Sequence, residues 1–188
     1  MSQSKLHVLT EIAIFSAIAL VFDKLPLFTM PQGGSVSLVM LPILLLSLRH
    51  GWLVGILSGL IVGTIQLFYG GYFLNVFQVF LDYVLSYAGI GIAGLFAPTL
   101  HRNTTLSKAS ITIMSASFLG ASLRFFANFL AGIIFYADYA PADTPVWIYS
   151  FTYNISYILP STVIACILLI LLYKARPNFF RGKIDNAC

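Results

Sequence analysis

Asp82 is an acidic residue inside a long apolar run, residues 76–96, and this position needs an explanation. A charged side chain at the bilayer centre costs about 2.5 to 3.5 kcal/mol on insertion scales unless a partner offsets that cost. Gln78, Asp82 and Ser86 recur at intervals of four, so they share one face of a helix. A polar face on an apolar helix points at protein or at a cavity. The pattern therefore predicts that Asp82 meets a cationic or hydrogen-bonding group.

Aromatic and small polar residues gather in three further stretches of the chain. Residues 30–37 combine a proline with two glycines, residues 69–75 hold tyrosines around a glycine pair, and residues 128–157 carry asparagines and tyrosines. Tyrosine and tryptophan also form belts at membrane surfaces, so each ring taken singly has a structural explanation. Combined with a buried anion, several π faces suit an organic cation. The residues thus predict a site for a charged or polar heterocycle.

Arg124 is the alternative partner for Asp82, because it also lies inside a long apolar run. If the two side chains pair, the acid is a structural element and the chain is an assembly subunit without a ligand. A further alternative is a self-sufficient permease coupled to protons or cations, in which Asp82 titrates. The residues alone leave these alternatives open.

Composition assigns the chain to the integral membrane proteins. Of its 188 residues, 59% are hydrophobic and 9% are charged, which indicates that lipid is its main solvent. We predict an all-α membrane protein with six transmembrane helices in one compact domain, residues 1–188. The second helix is short and contains Pro42, so a kink, a tilt or an extension toward residues 33–35 is expected. The predicted spans are residues 9–27, 37–48, 52–68, 76–96, 111–136 and 157–173.

Basic residues predict how these helices are oriented. Lysine and arginine flank both termini and the 2–3 and 4–5 loops, whereas Lys24 is the only basic residue of the other loops. By the positive-inside rule, both termini of this multi-pass protein face the cytoplasm of a prokaryotic cell. The 1–2, 3–4 and 5–6 loops then face outward. They are rich in Gly, Tyr, Pro and Asn, and we expect them to meet a small molecule.

Sequence motifs for catalysis are missing. The chain has no H-E-x-x-H motif, no nucleophile elbow and no phosphate-binding glycine loop leading to a lysine. Cys166 and Cys188 show neither metal-ligand spacing nor a disulfide framework. We therefore predict no enzyme, no cofactor and no metal. The basic residues orient the protein in membrane lipid and do not imply nucleic acid.

Four strings occur in order along the chain: MPQGGSVS at 30–37, PILLLSLR at 42–49, FLDY at 80–83, and TPVWIYS at 144–150 with YN at 153–154. Together they resemble the thiamine-specific S components of energy-coupling factor (ECF) transporters, and the likeness covers nearly the whole chain. It implies a six-helix protein that binds thiamine from outside. It also implies partners: a shared transmembrane subunit and two ATPase subunits, which supply the energy for uptake.

The same resemblance implies roles for individual residues. Asp82 matches the acid that engages thiamine, Tyr136 stacks on the ligand, and the 1–2 loop closes over the outer mouth as a lid. Ala13 and Ala17 have the small-x-x-x-small spacing through which the family docks on its transmembrane subunit, since small residues let backbones approach closely. The implied substrate-binding residues are Tyr72, Asp82, Tyr83, Asn128, Gly132, Tyr136, Tyr149 and Asn154.

The chain departs from the family pattern within this set. Asn128 stands where members often have His, Tyr136 and Gly33 stand where some have Trp, and Asp82 replaces the Glu of some relatives. Losing a stacking partner is expected to cost about 0.5 to 1.5 kcal/mol, which would weaken thiamine binding without abolishing it. A thiamine precursor or analogue is therefore the alternative ligand.

Overall fold

The computed structural model describes residues 3–69, 71–102 and 105–182 and is built from helices. Four of these helices are long and apolar enough to cross a membrane, and the other two are shorter apolar helices. The predicted all-α fold with six helices is confirmed for the described residues. The helices are α1 (Gln3–Lys24), α2 (Met40–His50), α3 (Trp52–Phe68), α4 (Val76–Arg102), α5 (Leu106–Phe135) and α6 (Val146–Ala175).

Four helices extend several residues beyond the apolar runs from which they were predicted, and one of them, α1, begins at Gln3 and not at residue 9. The largest difference is α6, which begins at Val146 and not at residue 157. Similarly, α4 continues to Arg102 and α5 begins at Leu106. Hydropathy underestimates these helices because their end turns carry polar and aromatic residues, while the backbone hydrogen bonds continue. The stretch that we assigned to the 5–6 loop, including Tyr149 and Asn154, is therefore helical.

Helix α2 is a core helix of 11 residues, a length of about 16 Å at 1.5 Å per residue. Its side chains Ile43, Leu44 and Leu46 are completely buried. Pro42 falls in its first turn, where a missing N–H costs nothing, so the proline requires no kink. The proline inside a long helix is instead Pro160 in α6.

Residues 27–36 form a small hairpin before α2. Strand β1 (Phe28–Thr29) pairs antiparallel with β2 (Ser35–Val36), and a 3-10 turn joins the strands. Gly33 in this turn has φ +90°, a conformation that side chains other than glycine rarely adopt. We call this segment the outer hairpin and its end of the bundle the outer end; the opposite end is the inner end. The expected extension of α2 toward residues 33–35 is thus a hairpin and not a helix.

Helix α4 contains a π-helical segment at Phe80–Leu85, and Asp82 lies inside it. Short π segments within α-helices are frequent at functional sites. On its other side α4 packs tightly on α3: a Cβ at Gly63 would lie 2.1 Å from the Tyr83 carbonyl oxygen, and one at Gly59 would lie 2.2 Å from that of Tyr87. These glycines let the two backbones touch, and the contact positions the π segment.

An ion-pair network joins α1 to α2 at the inner end. Arg49 donates to both carboxylate oxygens of Glu11, from Nε at 2.7 Å and from Nη2 at 3.0 Å. The Nε2 atom of His50 lies 2.7 Å from the same carboxylate. Arg49 also donates to the Phe179 carbonyl and lies over the Phe179 ring. Glu11 is therefore a structural acid.

Candidate functional site

A pocket at the outer end lies between the outer hairpin and helices α3 to α6. The space inside the pocket and its open mouth amounts to about 770 Å³. The structure places all eight residues of the predicted substrate-binding set around this pocket. They are Tyr72, Asp82, Tyr83, Asn128, Gly132, Tyr136, Tyr149 and Asn154.

The carboxylate of Asp82 is held by neutral donors. Its Oδ2 atom accepts a hydrogen bond from Gln78 Nε2 at 2.6 Å and another from the Tyr136 hydroxyl at 3.0 Å. Gln78 Nε2 also donates to the Tyr136 hydroxyl at 3.0 Å, and the Gln78 side chain is completely buried. Burial, reinforced by the Asp82 charge, raises the pKa of Tyr136, so its hydroxyl remains a neutral donor. The acid is oriented without being neutralised.

Arg124 does not pair with Asp82. Its guanidinium lies 4.7 Å from the centre of the Tyr87 ring, and its Nη2 is 3.4 Å from the Tyr87 hydroxyl. Within the described residues, the ion pairs are those that Glu11 makes with the inner-end bases. The alternative in which Asp82 and Arg124 form a structural pair is therefore wrong, and Asp82 faces the pocket without a cationic partner from the described chain.

Two asparagines and a tyrosine form a polar network on another wall of the pocket. Asn128 Nδ2 donates to the Tyr157 hydroxyl at 2.8 Å, and that hydroxyl donates to Asn154 Oδ1 at 2.8 Å. Asn154 Nδ2 in turn donates to the Ser150 carbonyl at 2.8 Å. Asn128 is 8% exposed, and its Oδ1 has no partner among the described residues. A buried unpaired acceptor costs about 1 to 3 kcal/mol, so this oxygen is suited to a ligand donor.

Gly132 lets α5 and α6 approach each other beside this network. A Cβ at this position would lie 2.1 Å from the Ser150 Oγ atom. Even alanine would therefore force Ser150 to move. The glycine brings α6 and its Asn154 close to α5.

Tyrosine rings supply the aromatic walls. The Tyr72 and Tyr136 rings lie 6.4 Å apart on one side, and the Tyr149 and Tyr153 rings lie 5.9 Å apart on the other. The Tyr83 hydroxyl accepts the N–H of Tyr72 at 2.5 Å, which ties the 3–4 loop to α4. Anion, aromatic faces and an unpaired acceptor therefore meet in one cavity.

Some residues of the site were not in the predicted set. Gln78 belongs to the polar face recognised in α4, but the expected third member, Ser86, is buried and does not line the pocket. The π segment between them changes the helical register. Tyr153 and Tyr157 line the pocket and follow Tyr149 at intervals of four. That spacing would have identified them if residues 146–157 had been predicted as helix.

Ala13 and Ala17 lie far from the pocket, on the exposed side of α1. This helix is the least buried of the four long ones, with 17% of its most apolar window inside the protein, compared with 33% to 39% for the others. Its exposed side is apolar, with Ile14, Ile18 and Val21 all more than a third exposed. The small-residue pair is thus accessible from the membrane side.

Comparisons with known proteins agree on one family. Residues 9–181 match the model of the family described as thiamine transporter protein (Thia_YuaJ). The chain is 42% identical to the thiamine transporter ThiT of Bacillus subtilis (strain 168), over 97% of this chain and 98% of that protein. It is 30% identical to a ThiT of Lacticaseibacillus paracasei, over 97% and 95% of the two chains.

Solved structures show the same likeness in three dimensions. ThiT from Listeria monocytogenes superposes with a TM-score of 0.88 at 28% identity, covering 94% of this chain and 98% of that one. The S component of a bacterial ECF transporter superposes with a TM-score of 0.63 at 17% identity, covering 93% and 98%. The second match concerns the fold alone.

Proposed function

The chain belongs to the thiamine transporter protein family, and from this membership we propose that its outer pocket captures thiamine as the S component of an ECF transporter. The family consists of transporters, so the predictions of a multi-pass membrane protein and of a chain that is not an enzyme are confirmed. The residue roles, the orientation and the partner subunits are the proposal.

The observation that carries the proposal is the unpaired charge of Asp82. Its two hydrogen-bond donors, Gln78 and Tyr136, are neutral, so the Asp82 carboxylate keeps its negative charge for a ligand. Thiamine joins a permanently cationic thiazolium ring to an aminopyrimidine, and a buried carboxylate beside aromatic faces favours such a cation. Asp82 therefore engages the cationic or amino-bearing ring, while Tyr136 and Tyr72 provide the stacking faces.

The asparagines have different roles in this arrangement. The Asn154 amide is committed to Ser150 and Tyr157, so it holds that wall of the pocket in position. Asn128 offers an unpaired oxygen that can accept from the exocyclic amine of the pyrimidine. Tyr149 closes the same side with its ring.

Binding of thiamine to the purified protein tests the proposal. Titration calorimetry in detergent would use thiamine and, as controls, the isolated aminopyrimidine and thiazolium moieties. We expect tight binding of thiamine and much weaker binding of each moiety. Absence of thiamine binding, or equal binding of one moiety alone, would contradict thiamine as the ligand and would point to a precursor or analogue.

Docking on the transmembrane subunit is assigned to the exposed side of α1. Ala13 and Ala17 permit close helix contact there, and the inner end is cytoplasmic because Arg49, Arg102 and Lys174 lie at it. Replacing both alanines with leucine should leave thiamine affinity unchanged and prevent co-purification with the transmembrane and ATPase subunits. Val163→Leu, on the exposed side of α6, is the matched control. Co-purification of the double variant would contradict this docking surface.

A further inference from the structure

The tip of the outer hairpin is hydrogen-bonded to α6 mainly through one hydroxyl group. The Tyr153 hydroxyl accepts the N–H of Gly34 at 2.9 Å and donates to the Pro31 carbonyl. The two backbone groups lie on either side of the turn that carries Gly33, so a single side chain holds both ends of the turn. Gly33 and Gly34 line the pocket, and the hairpin is part of its outer wall.

The surface of α6 beneath the hairpin leaves room only for glycine at position 34. A Cβ at Gly34 would lie 2.7 Å from the Tyr153 hydroxyl oxygen and 3.0 Å from two carbons of the Tyr157 ring. The Tyr153 and Tyr157 rings meet edge to face at 5.7 Å. Tyr157 is also the residue that bonds Asn128 and Asn154. The hairpin therefore rests directly on the tyrosines that end in the polar network of the pocket.

Among the described residues, the structure records one further attachment of the tip to α6, and it is weaker. Ser156 Oγ donates to the Met30 sulfur at 3.2 Å, and a thioether sulfur is a weak acceptor. At the base of the hairpin, Ser37 donates its N–H to Ser161 Oγ at 3.2 Å. A segment held at its base, and at its tip mainly by one hydroxyl, can open when the two hydrogen bonds of that hydroxyl are lost.

We propose that the outer hairpin is a lid over the pocket and that Tyr153 is the latch that holds it closed. Tyr153 is then a positioning residue that sets how fast the ligand leaves and not which ligand binds. The inference rests on the proposed function, because it assumes that the pocket holds thiamine. Opening the tip breaks both hydrogen bonds of the Tyr153 hydroxyl, and closing restores them. Each such bond contributes modestly after exchange with water, so losing both is expected to raise koff about tenfold.

Tyr153→Phe isolates the hydroxyl, because phenylalanine keeps the ring contacts with Tyr149 and Tyr157. Dissociation of radiolabelled thiamine would be followed after a chase with unlabelled thiamine, and association would be measured separately. We expect koff to rise about tenfold with kon nearly unchanged. Tyr69→Phe is the matched control, since Tyr69 lies at the outer end but outside the pocket lining. An unchanged koff in Tyr153→Phe would overturn the latch.

A second variant acts on the same contact from the hairpin side. Gly34→Ala pushes a methyl group against the Tyr153 hydroxyl and should also raise koff. In the double variant the methyl group acts only through its contact with the Tyr157 ring, so the rise in koff should be smaller than the product of the two single effects. A rise equal to the full product would overturn the inference, because it would place the two residues in separate interactions.

Hydrogen exchange of the thiamine-bound protein measures the opening of the outer hairpin directly. In Tyr153→Phe, the amides of residues 28–36 should exchange faster, while those of α6 remain as protected as in the parent. Unchanged protection of the hairpin would overturn the latch. If the parent protein fails to bind thiamine at all, it is the proposed function that fails, and the calorimetric titration detects that separately.

Discussion

Glu11 at the inner end of the bundle and Asp82 at the outer end have opposite surroundings. At the inner end, Glu11 is paired with Arg49 and His50 in a network that joins α1, α2 and the segment after α6. At the outer end, Asp82 is held only by the neutral side chains of Gln78 and Tyr136. A paired acid stabilises the fold, whereas an acid with oriented but unneutralised charge is a binding group. This difference between Glu11 and Asp82 supports the proposal that the ligand binds in the outer pocket.

Breaking the inner pair should have the largest effect on stability. Arg49→Met removes both hydrogen bonds to Glu11 and leaves a partly buried carboxylate, with side-chain exposures of 12% for Arg49 and 27% for Glu11. Allowing for solvent screening, we expect a loss of about 2 kcal/mol, or about 4 to 8 °C in Tm. Thermal unfolding in detergent measures it.

Arg102→Met is the control for that change, because Arg102 is exposed and is not part of an ion pair that the structure records in the described residues. Equal shifts of Tm in the two variants would contradict a structural role for the inner pair. Thiamine affinity of the folded protein should be unaffected in both.

The outer end should show the reverse pattern. Asn128→Leu removes the unpaired Oδ1 atom, and the Tyr157 hydroxyl keeps its bond to Asn154. We expect little change in Tm, because removing the unsatisfied acceptor offsets the lost hydrogen bond from Asn128 Nδ2 to the Tyr157 hydroxyl. Thiamine affinity should fall by about 1 to 2 kcal/mol, or five- to thirtyfold. Thermal unfolding and calorimetry on the same sample separate the two quantities. Affinity and stability falling together would make Asn128 a structural residue.

A smaller effect is expected from Tyr136→Phe. The variant keeps the ring that faces Tyr72 and loses the donor to Asp82. Thiamine affinity should fall by about 1 kcal/mol, or about fivefold. The same substitution made together with Asp82→Asn should have little further effect, because the two residues share one interaction. A full additional loss in the double variant would show that Tyr136 acts without Asp82.

Much of the fold was predictable because the apolar runs are long. Residues 76–96 and 111–136 needed no other signal, and the helices there extend only a few turns further. The start of α6 was missed because Trp147, Tyr149 and Asn154 lower the hydropathy of turns that are nevertheless helical. Helix α2 was predicted as the shortest span, and its 11 residues are mostly buried inside the bundle. Its bounds therefore depend on packing against its neighbours, which hydropathy does not describe.

The candidate site was predictable where a charge or a resemblance marked it. Asp82 stood out as an acid in an apolar run, and the residues implied by the family likeness do surround one pocket. The roles of Gln78 and Tyr153 depended on hydrogen bonds across the fold, to Tyr136 and to the outer hairpin. Such contacts follow from packing and from the π segment of α4, and they cannot be predicted from a local pattern of residues.

The central claim is that Asp82, and not Glu11, binds the ligand. Titrating thiamine into the parent protein, Asp82→Asn and Glu11→Gln under identical conditions tests it most directly. Losing a charge-assisted contact should weaken binding to Asp82→Asn by about 2 to 3 kcal/mol, or about 30- to 150-fold, and Glu11→Gln should bind as the parent does. Equal affinities of the parent and Asp82→Asn would contradict the account.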